Sequence, residues 1–266
     1  MKLNVVGDIT GFAQTIHALI KAMPAHPLWA LGDLIDRGPD SKGVLDLFID
    51  MGHKSLMGNH EHMMLFEKIR QNLDVHYRLY PPGCWGWNGG QQTIESFGCT
   101  YIHEFDPAEF PKYFDFIESL PLKHEEGNLI LTHAPVSDKK AKRIYDIKEI
   151  NKDPYLLDTS ALWNRNAPTK QNGKLQVYGH NSTKGILWHT DKHPQGIYMH
   201  DPMEVPDGAW AVCIDTWREG YLTALSIDTE LLEDPKKAIE VYQQKVVDPF
   251  DFDTPKKKKM KGIYDI

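Results

Sequence analysis

KLNVVGD at residues 2–8, PLWALGDL at 27–34 and KSLMGN at 54–59 share one pattern: a short apolar run of strand type that stops on glycine and a polar residue. NLILTHA (128–134) and LQVYGH (175–180) repeat it. Between the first two runs, FAQTIHALIKAM (12–23) sets Phe12, Ile16, Leu19 and Met23 at helical spacing, and GVLDLFIDMG (43–52) repeats that pattern before the third. This β-α-β-α-β order predicts parallel strands joined by right-handed crossovers. Toward the C-terminus, AWAVCID (209–215) and YLTALSID (221–228) flank Gly220 and read as an antiparallel hairpin, which makes the sheet system mixed. YPPGCWGWNGG (80–90), dense in Trp, Gly and Pro, reads as an ordered loop beside a surface cleft.

With 266 residues, 41% of them hydrophobic and 25% charged, the chain suits one large domain and excludes a disordered or fibrous class. A net charge of −7 argues against wholesale binding to nucleic acid or an anionic membrane. The exception is PKKKKMKG (255–262), a basic run read as a solvated, mobile terminus. Cys84, Cys99 and Cys213 are odd in number and irregularly spaced, so they suggest neither a disulfide framework nor a Cys-based zinc site. No apolar stretch approaches the roughly 20 residues that span a bilayer. The expectation is a cytoplasmic protein without membrane contact, its oligomeric state open.

The polar residues that end the strand-like runs are Asp8, then Asp33 and Asp36, then Asn59 and His60, then His133 and His180. In an open α/β sheet the loops beyond the carboxyl ends of the strands converge on one crevice. A single Asp or His at such an end is usually a turn or cap residue. A succession of them on the same kind of strand end points instead to one site, whose mixed O and N donors suit a divalent transition metal.

These residues carry a family resemblance. GDIT-G, GDLIDRGPDS, GNHE, THAP and YGHNST resemble, in order, the motifs of the phosphoprotein-phosphatase branch of the calcineurin-like metallophosphoesterases. WNGGQQTIESFG, LWNR and IDTWREGYLTALSID are similar to segments of bacterial and phage members, including the phage lambda phosphatase and the symmetrical diadenosine tetraphosphatases. The resemblance implies an α/β sandwich of two mixed sheets flanked by helices, with residues 1–235 as catalytic domain and 236–266 as a C-terminal extension ending in the lysine-rich tail. It implies two metals bridged by Asp33, with Asp8 on the first and Asn59, His133 and His180 on the second, and a metal-bound hydroxide as nucleophile. Mn²⁺ is the first expectation, with Fe²⁺, Zn²⁺ or Ni²⁺ as substitutes. His60 matches the proton donor to the leaving oxygen and Asp36 the carboxylate that orients it. Arg37 and Arg165 match guanidinium clamps on phosphoryl oxygens.

Two positions depart from the pattern. The family places a histidine two residues after its first Asp, and this chain has Thr10, whose neutral hydroxyl is a poor metal ligand. One tight and one weak metal site follow as the leading expectation. Rescue by His17, His62, His189, His193 or His200 is a second reading, with His17 and His62 taken as ordinary helix-surface residues, and a metal- or phosphate-binding pseudoenzyme is a third. Met57 stands before GNHE where protein phosphatases commonly have Arg, so one phosphate-facing guanidinium is missing. The substrate is therefore open between a phosphoprotein, a nucleotide such as a dinucleoside polyphosphate, and a small phosphoester. Trp85 and Trp87 offer rings that could stack a base, with packing in the core or loop as the preferred reading.

Overall fold

The computed structural model describes residues 1–69, 80, 81, 83–137 and 160–252. The lysine-rich run and Pro82 lie outside the described residues. Two mixed sheets stack face to face, and the parallel strands of each deliver their carboxyl ends to the same edge of the sandwich.

In the first sheet β1 (Lys2–Val6), β2 (Leu28–Ala30) and β3 (Lys54–Ser55) run parallel, as the crossover reading predicts. Their crossovers are α1 (Ala13–Ala22) and α2 (Ser41–Met51), each burying the apolar stripe set out by its helical period. Alternation along β1 divides the core. Leu3 and Val5 face the other sheet, packing with Leu131, Val177 and Trp188, while Val6 faces Phe12, Ile16 and Phe48 on the helical side. β10 (Tyr221–Asp228) and β11 (Ile239–Lys245) complete this sheet on the far side of β1, both antiparallel to their neighbours. The stretch after residue 235, read from the sequence as an extension, thus supplies the edge strand β11.

In the second sheet β5 (Leu129–Thr132), β6 (Leu175–Tyr178) and β9 (Ala211–Cys213) are parallel. β4 (Lys123–Glu126) borders β5, and β7 (Leu187–His189) with β8 (Ile197–Tyr198) borders β9, all antiparallel. The expected hairpin of AWAVCID and YLTALSID does not form: β9 pairs with β6 and β7, whereas β10 pairs with β1 and β11 in the other sheet. The Gly220 turn is real, with φ 82, but it closes a short 3₁₀ turn, Trp217–Glu219, that carries the chain from one sheet to the other. Three further helices cover the first sheet's flank: α3 (Asn59–Ile69), α4 (Gln91–Ser96) and α5 (Pro111–Glu118). Within the stretch read as an ordered loop, Gly86–Gly90 forms a π-helical turn kinked at Gly89, φ 110. Among the described residues no helix is long and apolar enough to cross a membrane.

Candidate active site

Every candidate residue sits on a segment that leaves the carboxyl end of a parallel strand. Asp8 follows β1, Asp33, Asp36 and Arg37 follow β2, and Asn59 and His60 open α3 directly after β3. His133 and Arg165 lie between β5 and β6, and His180 follows β6. The backbone is strained where they gather. Among the described residues, six that are not glycine have positive φ, and five of them are Thr10, Asp33, Asp36, Arg37 and His180. Each such conformation costs on the order of 1–3 kcal/mol and persists only where surrounding contacts impose it.

Those contacts are visible. The Glu61 carboxylate accepts from the backbone N–H groups of Asp33 at 2.9 Å, Leu34 at 2.7 Å and Gly58 at 2.9 Å, tying the first turn of α3 to the loop after β2. A Cβ at Gly58 would collide with the Asp33 carboxylate, and one at Gly179 with that of Asp8, so both strand ends need glycine to let the carboxylates approach.

Ligating atoms of Asp8, Asp33 and His133, all buried, lie within 4.8 Å of one another. Asn59 Oδ1 is 2.9 Å from His133 Nε2 and 2.8 Å from His180 Nδ1, and His133 Nε2 is 3.4 Å from Asp33 Oδ1. His133 Nδ1 donates to the Leu31 carbonyl at 2.9 Å, which leaves Nε2 as the lone-pair nitrogen facing Asp33 and Asn59. Burial opposes ionisation of Asp33, but the imidazoles of His60 and His133 and the Arg37 guanidinium outweigh it and hold the carboxyl at about 2. Burial pushes His133 down, and burial with His133 beside it pushes His180 down to about 2.

His60 stands beside this cluster. Its Nδ1 is 2.5 Å from Asp36 Oδ2 and its Nε2 lies 3.7 Å from Asp33 Oδ2. Asp36 is locked in turn by Trp85 Nε1, at 3.0 Å from each oxygen, and by the Thr93 hydroxyl at 2.6 Å. Trp85 is therefore a core residue that orients the pair, whereas Trp87 is 65% exposed. Asp33, Arg37, Asn59, Arg165 and His180 line a cleft of about 160 Å³. All nine residues singled out in the sequence are thus brought to one place.

Thr10 is fully buried. Its backbone is held by Asp33 and Gly38, and its buried hydroxyl has no hydrogen-bond partner. No histidine substitutes for it among the described residues. His62 is not a surface residue but is buried against the Tyr80 hydroxyl, with Nδ1 to oxygen at 2.6 Å. His189 contacts Tyr178 Oη and the Pro194 carbonyl, and His17, His193 and His200 are exposed. A carboxylate stands next to Asp8 instead. Asp215, at the end of β9, is fully buried, accepts from the Ser182 hydroxyl at 2.9 Å through Oδ2, and has no partner for Oδ1. Burial pushes Asp215 up to about 6, with Asp33 adding to the effect, and burial together with the charges of Asp215 and Asp33 pushes Asp8 well above its usual range. Asp215 ends the run AWAVCID and begins no recognised ligand motif, and its placement beside Asp8 needs the stacking of β1's sheet on β9's.

This donor set fits a divalent cation. Buried carboxylates crowd together without a positive neighbour sufficient for all of them, and the orphaned atoms Asp215 Oδ1 and His180 Nε2 await a partner.

The Calcineurin-like phosphoesterase family model matches residues 1–202. The chain is 41% identical over 140 residues to a symmetrical bis(5'-nucleosyl)-tetraphosphatase of Shewanella baltica, the match covering 49% of this chain and 43% of that protein. It is 26% identical over 140 residues to the enzyme of the same name from Dechloromonas aromatica, covering 50% and 44%. The chain thus spans less than half the length of these curated relatives. Among solved structures, a metallophosphoesterase from Sphaerobacter thermophilus superposes with TM-score 0.53 at 15% identity, covering 91% of this chain and 87% of that one. A serine/threonine phosphatase from Saccharomyces cerevisiae gives 0.51 at 13% identity, covering 94% and 82%. At these identities the likeness is one of fold.

Proposed function

The chain belongs to the calcineurin-like phosphoesterases, and from that premise we propose that it hydrolyses a phosphoester with divalent metal held by Asp8, Asp33, Asn59, His133 and His180. A cation there would supply Lewis acidity toward a phosphoryl oxygen and would acidify a water near neutral pH. Mn²⁺ is the first metal to try. The chain's own residues do the rest. Arg37 and Arg165 line the cleft with forked donors suited to phosphoryl oxygens. His60, with Nδ1 held by Asp36, turns Nε2 toward the cluster, where it can donate a proton to the leaving oxygen.

The observation that carries this reading is the buried His60–Asp36 contact of 2.5 Å beside Asp33, a proton donor with its orienting carboxylate at the edge of a metal-type donor set. Turnover of p-nitrophenyl phosphate with added Mn²⁺ tests it. Activity lost in His60→Asn, with metal content retained, supports the reading. No turnover with any divalent metal would leave a metal- or phosphate-binding protein, as the exchange at Thr10 also allows. A second reading, a dinucleoside tetraphosphate as substrate, is favoured by the names of the matched relatives. Symmetrical cleavage of diadenosine tetraphosphate gives ADP alone, so product analysis separates it from monoester hydrolysis.

A further inference from the structure

Arg218 lies within IDTWREGYLTALSID, where the sequence reading gave it no role. It rides on the 3₁₀ turn Trp217–Glu219, three residues beyond Asp215, and it lines the same cleft as Arg37 and Arg165 together with Asn88 and Ser182. One indole holds two of these cations. The Arg37 guanidinium lies 5.3 Å, and that of Arg218 5.2 Å, from the centre of the Trp217 ring, which is itself buried against Phe12 and Phe250. Among the described residues none of the three guanidiniums has a carboxylate within ion-pair distance, and the one side-chain hydrogen bond they make is from Arg165 to Asn181 Oδ1 at 3.4 Å. Partial burial and the like charges of Arg37 and Arg165 push the Arg218 pKa down, while Asp215 opposes that shift. Three guanidiniums without a carboxylate at ion-pair distance thus share one small cleft, an arrangement suited to a bound polyanion.

Three forks in one cleft suit an anion of more than one phosphate. Arg37 and Arg165 present the paired donors that one phosphoryl group takes up. Arg218 stands on a separate turn, Trp217–Glu219, and adds a further fork at the same cleft, which suits a neighbouring phosphate. We propose that Arg218 forms a subsite for the phosphate next to the one attacked, so that the cleft selects substrates with a P–O–P linkage over simple monoesters. The subsite rests on the assignment of the cleft as the hydrolytic site.

The test is calorimetric binding of pyrophosphate and of orthophosphate to the metal-free protein at about 0.3 M salt, where exposed charges are strongly screened. The parent should prefer pyrophosphate by about tenfold or more, and Arg218→Gln should collapse that preference. Arg218→Lys should keep part of it, since a point charge replaces the fork. Equal loss of both affinities in Arg218→Gln, or loss of neither, overturns the subsite. Turnover of diadenosine tetraphosphate and p-nitrophenyl phosphate is followed in parallel. A parent that hydrolyses neither, yet loses its pyrophosphate preference in Arg218→Gln, would sink the catalytic reading and leave the subsite standing. A parent that hydrolyses both, with binding unaltered by the substitution, would do the reverse.

Discussion

Thr10 carries a β-branched side chain at φ 47, a conformation that such residues rarely adopt and that histidine tolerates better. Thr10→His should therefore suit the backbone, and it places an imidazole where a buried hydroxyl now has no partner. The expected outcome is more Mn²⁺ retained after dialysis, read by elemental analysis, and half-activation at a lower metal concentration. Unchanged retention would mean that the first site is already complete through other side chains. His60→Asn should lower kcat by roughly 10²- to 10⁴-fold on an alkyl phosphate, the usual worth of general acid catalysis, and by less on p-nitrophenyl phosphate, whose leaving group needs little protonation. Equal losses on the two substrates would count against proton donation. At this scale the site was legible because each strand end announces itself with glycine and a polar residue. Asp215 and Arg218 were not, although IDTWREGYLTALSID contains both, because the run that Asp215 ends belongs to the second sheet and nothing local aims the Arg218 side chain at the site. Only the three-dimensional approach of β9 to β1 makes either of them part of the cleft.

The crossover helices were legible because their apolar period of 3.6 is strong and local. The supposed hairpin failed for the complementary reason: a glycine turn between two apolar runs is also what a chain needs to cross between stacked sheets, and strand partners are chosen by long-range packing. Likewise nothing local reveals that the segment after β11 caps α1. The Asp248 carboxylate accepts from the backbone N–H of Gln14 at 3.0 Å and of Thr15 at 2.8 Å, filling the capping role that Phe12 at the N-cap cannot perform. Asp248→Ala should cost about 1–2 kcal/mol, as lost caps do, seen as a shifted urea midpoint with unchanged slope. α3 is anchored differently, through Glu61. Glu61→Gln keeps the shape but turns an NH₂ group toward backbone N–H donors, leaving buried donors unmatched at roughly 1–3 kcal/mol each. It should destabilise the fold and weaken metal binding together, because the same contact positions Asp33. Full metal affinity in a destabilised variant would show that Asp33 is held from elsewhere.

For the molecule as a whole, the sandwich brings together groups that folding alone does not reward. With metal chelated, burial lowers His133 and holds His180 at about 2 in the fold, while in the unfolded chain both protonate near 6.5. Below that pH the unfolded chain binds more protons, so stability is lost as pH falls from about 6.5 toward 2. Asp8 and Asp215 act in the opposite sense. Their folded values are raised, Asp215 to about 6 from an unfolded value near 3.8, so the fold favours their protonated forms. Stability contributed by the protonated carboxyl is present below 3.8 and lost as pH rises through about 6. Asp215→Asn removes one charge from beside Asp8, can still accept from Ser182, and can offer an N–H to the Asp8 carboxylate. In EDTA at pH 8 this variant should be more stable than the parent, by on the order of 1–3 kcal/mol, and at pH 4 the gain should shrink. Divalent metal should reverse the ranking. It binds the ionised parent site and stabilises it by mass action, about 2.7 kcal/mol at a hundredfold excess over Kd, whereas the variant has lost a carboxylate next to the ion. Urea unfolding of both proteins at pH 4 and pH 8, with EDTA and then with Mn²⁺, measures all four corners. If Asp215→Asn were less stable than the parent in EDTA at pH 8, Asp215 would be a structural residue whose charge the fold already compensates.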